Sequence, residues 1–145
     1  MSLTKRIVVG VDGSEPSLKA LRWAGRAAVD KGAELLVVLA WANTPEPLAG
    51  AFSSYSVHEH VGSPADRAKD RLMAAVTEIL GEDPPVVVQP QVKEGSAAKV
   101  LIEAAQDADL LVVGTRGLGG FGGLLLGSVS LHVAAHAGCT VVIVR

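Results

Sequence analysis

A single cysteine, Cys139, stands in the 145 residues, so no internal disulfide can form and the fold must hold without covalent staples. Aromatic side chains make up 3% of the chain, too few for a stacking platform on single-stranded nucleic acid. The formal charge is only −2, from 15 acidic and 13 basic side chains, which argues against binding a nucleic acid by phosphate neutralisation. No GxxxxGK[ST] or HExxH pattern occurs, so the P-loop and the zinc-protease helix are both absent as motifs. No carboxylate follows Asp109, and from Gly117 to Val144 there is no Asp, Glu, Lys or Arg. Seven glycines and several polar residues within that stretch make it a poor membrane span despite the GxxxG spacings at Gly119, Gly123 and Gly127. The first residues, MSLTKRIVVG, reach an apolar run too short for a signal-peptide core, so a cytoplasmic location is expected.

What is present is an alternation of short β-branched runs with longer amphipathic ones. Strands are expected at Arg6–Val11, Glu34–Trp41, Val86–Val92, Leu110–Gly114 and Thr140–Val144. Most are too uniformly apolar to have a wet face, and each is separated from the next by at least a crossover's length. Both features predict an α/β fold with an open parallel sheet covered by helices, in one domain over residues 1–145. The first helix should start at Ser14 and stop at Gly32. The second should run from a Ser63 cap and Pro64 to Gly81, the third should start at Ser96, and the fourth should run from near Ser128 to Gly138. Pro90 assigns its strand to a sheet edge. Asn43–Gly62 has neither period and reads as a long loop, either a lid or an insertion.

Chemistry is expected beyond the carboxyl ends of the strands, where ligands of open α/β sheets bind. The first strand leads into Asp12, Gly13 and Ser14, and the fourth into TRGLGGFGGLLLGS. Such a glycine-rich loop before a helix start can turn main-chain amides toward a polyanion, and the absence of carboxylates there removes repulsion. Arg116 adds a counter-charge. A merely flexible loop is the plain alternative. Gly117, Gly119 and Gly122 also spell GxGxxG, but this is not after the first strand and no acidic residue follows for a ribose.

His132 and His136 have the i, i+4 spacing of metal ligands, but lack an evident third ligand, so a helix-surface or dimer-contact role is favoured. Cys139 reads as a small buried residue, and Trp23 as packing on the flank of the first helix.

Gly114-x2-Gly117-x9-Gly127-Ser128 resembles the G-2x-G-9x-G-(S/T) signature of the ATP-binding branch of the universal stress protein family. VGVDGS, EGSAA, DADLLVVG, RGLGGFGGLLLGSVS and the closing VVIVR are similar to that family in order and spacing. The resemblance implies a Rossmann-like sheet of order 3-2-1-4-5 and a cytoplasmic homodimer paired through the last strand, Val141, Val142, Ile143 and Val144. The ligand it implies is ATP, or alternatively AMP or ADP, with magnesium or manganese.

On matching positions, Gly10, Val11 and Asp12 would approach the adenosine, and the backbone at Ala40 and Trp41 would meet the adenine edge. Gly114 and Gly117 would flank the ribose and phosphates, and Gly127, Ser128, Val129 and Ser130 would hold the phosphates. Thr140 stands where proline is frequent in the family and Ala97 near another such position, and both are expected to be clear of the nucleotide. A nucleotide-dependent regulatory module is the implied role. A slow ATP hydrolase or nucleotide transferase is the alternative, weakened because Asp12 is the one obvious carboxylate near the expected pocket.

Overall fold

The computed structural model describes residues 5–42, 62–115 and 126–145. Its elements, in chain order, are β1 (Arg6–Gly10), α1 (Glu15–Lys31), β2 (Glu34–Trp41), α2 (Pro64–Leu80), β3 (Val88–Glu94), α3 (Ala97–Ala104), β4 (Leu110–Gly114), α4 (Ser128–His136) and β5 (Thr140–Val144). The five strands form one parallel sheet of order β3-β2-β1-β4-β5, as expected from the family resemblance. In its centre Ile7 of β1 lies between Leu35 of β2 and Leu110 of β4.

Because successive side chains of a strand point to opposite faces, the apolar runs feed two cores. On one face Ile7, Val9, Leu35, Val37 and Val112 pack with Leu21 and Ala24 of α1 and Leu72 and Val76 of α2. On the other, Val8, Val38, Leu111 and Val113 pack with Val100 and Leu101 of α3 and Val133 of α4. Strands covered on both sides have no use for alternating polarity, which is why β1 and β4 read as continuous apolar runs.

Local signals place the helix ends. Ser14 is the N-cap of α1, Pro16 lies in its first turn, and Gly32 closes it in the left-handed conformation at φ 61°. Ser63 and Asp66 form a reciprocal capping box at the start of α2.

Three boundaries differ from the sequence reading. β1 ends at Gly10, one residue before Val11. β3 runs from Val88 to Glu94, two residues later than Val86–Val92, because main-chain pairing rather than apolarity sets its span. The Val87 carbonyl accepts from the Leu35 amide, and pairing continues until the Gly95 amide donates to the Trp41 carbonyl. α4 ends at His136, since Ala137 is already extended, and so stops short of Gly138. The Asn43–Gly62 loop lies outside the described residues except for Gly62.

Candidate functional site

The strand order reverses between β1 and β4: the chain leaves β1 toward β2 and β3, then returns to add β4 on β1's other side. Adjacent crossovers therefore cover opposite faces and part at the carboxyl ends of these two strands, leaving a crevice. A cleft of about 80 Å³, as bounded by the described residues, lies there. Its apolar walls are Val38, Ala40, Ala97, Leu101, Val113 and Val129. Polar atoms come from Asp12, Ser17 and Ser130 and from the chain at Gly10, Val11 and Gly114.

The turn after β1 is built by its own side chains. The Asp12 carboxylate accepts from the Ser14 amide at 2.9 Å and from the Ser14 hydroxyl, while the Asp12 amide donates to Ser17 Oγ at 3.2 Å. Ser17 Oγ in turn donates to the Ser14 carbonyl at 2.9 Å. Gly13, at φ 90°, supplies the positive φ that this turn needs. The bonds fix Asp12 at the cleft mouth and leave the first turn of α1 pointing at it.

The opposite wall is fixed by α4. Its Ser130 hydroxyl, buried with its residue at 3% exposure, donates to the Gly114 carbonyl at 2.6 Å, which ties the helix start to the end of β4. The Gly127 amide donates to the Thr115 carbonyl at 2.6 Å. That amide is thus engaged within the chain. The donors left without an intrahelical acceptor are the amides of Ser128, Val129 and Ser130, in the first turn of α4, where the helix dipole favours negative charge.

The structure brings seven of the expected site residues to one cleft: Gly10, Val11, Asp12, Ala40, Gly114, Val129 and Ser130. Trp41 is not among the residues lining the cleft: its side chain packs against the core on the α1 and α2 face, and its carbonyl accepts from the Gly95 amide. Gly127 and Ser128 stand beside the cleft as cap and first residue of α4. Arg116 and Gly117 lie outside the described residues. Ala97, expected to be clear of the nucleotide, is among the residues lining the cleft. It opens α3, whose first turn reaches over the carboxyl end of the sheet.

Ser17, Val38, Leu101 and Val113 complete the lining beyond the residues that the motifs mark. Ser17 was legible as the second serine of Ser14-x2-Ser17, one helical turn on. The three apolar residues carry no sequence mark that separates a cleft wall from a core.

The remaining candidates lie elsewhere. His132 and His136 are both exposed on α4. Cys139 is partly buried rather than fully so, and burial, then the charge of Asp109, pushes its thiol above its ordinary pKa, away from a nucleophilic thiolate. Trp23 is 39% exposed. Among the described residues no helix is long and apolar enough to cross a membrane.

Residues 4–145 match the family model described as the universal stress protein family. The chain belongs to the universal stress protein family. A universal stress protein of Thermus aquaticus is 36% identical over 143 residues, with 97% of this chain and 98% of the relative covered. Longer universal stress proteins of Mycolicibacterium smegmatis and Mycobacterium tuberculosis also match, and the chain spans about half of their length.

Among solved structures, a universal stress protein in complex with cAMP is 33% identical, covering 99% of this chain and 98% of that one, at a TM-score of 0.60. The universal stress protein of Archaeoglobus fulgidus in complex with dAMP superposes over the full length of both chains at a TM-score of 0.69. Its 20% identity bears on the fold alone.

Proposed function

We propose that this universal stress protein binds an adenine nucleotide in the cleft between β1, β4 and α4, and that occupancy makes it a nucleotide-dependent regulatory module. ATP is the expected ligand, with AMP or ADP as alternatives. The observation that carries the reading is the meeting of three chain segments at one crevice. These are Gly10–Asp12 after β1, Gly114 at the end of β4, and Val129–Ser130 at the start of α4. Apolar walls at Val38, Ala40, Leu101 and Val129 suit a flat heterocycle, while the first amides of α4 suit a phosphate. The relative solved with cAMP supports an adenine nucleotide as the class.

The residues present fit such a ligand. Asp12 is the one acidic side chain among the described lining residues, and among the described residues no group of three or more His, Cys, Asp or Glu could hold a metal ion. Magnesium or manganese would come with the nucleotide, and Asp12 is the carboxylate of the described lining that would help to position it. Asp12 already holds the Ser14 amide and hydroxyl, which favours a positioning role over that of a general base. The reading expects binding with slow or no turnover. In this reading the protein works in the cytoplasm as a homodimer paired through Val141–Val144 of β5, and the 145 residues act as one domain.

Isothermal titration of the folded chain with ATP and magnesium tests the proposal, with cAMP and dAMP as companions. Saturable heat at one nucleotide per chain is expected. Absence of binding for all three at millimolar ligand would overturn it.

A further inference from the structure

We infer that His132 and His136 form a surface chelate for a divalent transition metal, separate from the nucleotide cleft and independent of that reading. Both imidazoles are exposed on α4, one helical turn apart, and their ring centroids lie 4.8 Å from each other with the planes tilted by 49°. An ion about 2.1 Å from one nitrogen of each ring would stand about 3.2 Å from each centroid, so a centroid separation of 4.8 Å lies within the span that one ion can bridge. Zinc, copper(II) and nickel(II) are divalent ions that imidazole favours.

Three further features support the site. Neither imidazole makes a hydrogen bond or ion pair among the described residues, so no local partner competes for the ring nitrogens. No Lys or Arg lies between Gly117 and Val144, so the chain nearby in sequence places no cation beside the ion. His136 is the last residue of α4, and its partner sits one turn before it, where the helix dipole favours positive charge. Two protein ligands leave the other positions to water, which makes this an open surface site rather than a closed structural one. Cys139, three residues on, is not gathered with the pair.

The test is titration of the nucleotide-free full chain with zinc chloride, with the histidine side-chain resonances followed by NMR. One ion per chain is expected, with the His132 and His136 signals moving together. His132→Ala and His136→Ala should each weaken binding at least tenfold. Both positions are exposed, so circular dichroism should show the fold retained. The double variant H58A/H60A removes the only other histidines of the chain and should bind zinc as the parent does. Zinc binding unaffected by either helix variant, zinc binding lost in H58A/H60A, or no binding at all would overturn the assignment.

Discussion

At the scale of single residues, the two glycines that end β1 and β4 show how a motif position acquires a physical reason. Neither Gly10 nor Gly114 has a positive φ, so what each supplies is space rather than backbone freedom. A Cβ on Gly114 would stand 2.6 Å from the carbonyl carbon of Pro16 and 2.7 Å from its oxygen, and main chain in the first turn of α1 cannot step aside cheaply. Gly114→Ala is expected to cost about 1–3 kcal/mol in urea unfolding, the usual range for overpacking. At Gly10 the obstacle is Leu101 Cδ1 at 2.7 Å, the end of a flexible side chain that lines the cleft. Gly10→Ala should therefore cost less than about 1 kcal/mol of stability, because Leu101 can move, yet weaken nucleotide binding about tenfold as it moves into the cleft. Equal losses of stability and affinity in the two variants would contradict this division. Both glycines, named from the sequence, line the cleft. The neighbours that crowd them come from α1 and α3, distant in sequence, and could not be read there.

At the scale of elements, helix starts were legible because their signals are local. Ser63, Pro64 and Asp66 lie within four residues: Ser63 and Asp66 satisfy each other's amides, and Pro64 has no amide to leave open. Strand ends depend on a partner far away in the chain, which is why β3 is displaced toward Lys93 and Glu94 from the apolar run that announced it. The capping box also makes a pH prediction. The Asp66 carboxylate accepts from the Ser63 amide at 3.1 Å, and this bond, followed by the one to the Ser63 hydroxyl, holds its pKa below the ordinary aspartate value. A carboxylate whose pKa is depressed on folding stabilises the folded state above its unfolded pKa, and that stability disappears as the pH falls through the folded pKa. Asp66→Ala should accordingly be less stable than the parent at neutral pH, with the gap narrowing below the ordinary aspartate range. Paired urea titrations from neutral to acid pH measure it, and a gap that widens toward acid would refute the sign.

At the scale of the whole molecule, the parallel order 3-2-1-4-5 follows from the family resemblance, while apolar runs and crossover lengths alone support only a parallel α/β sheet. The order leaves two edges, β3 and β5, and these differ in how they meet another chain. On β3 the Val87 carbonyl and the Gly95 amide face β2, so alternation turns residue 90 outward, and Pro90 deprives that edge of a donor in its middle. On β5 the Val144 carbonyl accepts from Thr115 on the β4 side, so Val141 and Ile143 present their amides and carbonyls outward, with no proline among them. A second copy pairing by main-chain hydrogen bonds would thus meet a complete donor row at β5 and an interrupted one at β3. Ile143→Pro removes one outward amide while leaving the inward bonds of Val142 and Val144 in place, the arrangement that β3 already tolerates. Sedimentation velocity should find the parent as a dimer and this variant as a folded monomer, because the ladder between copies loses a central donor that the fold itself does not use. A variant that stays dimeric, with native circular dichroism, would move the pairing surface away from β5.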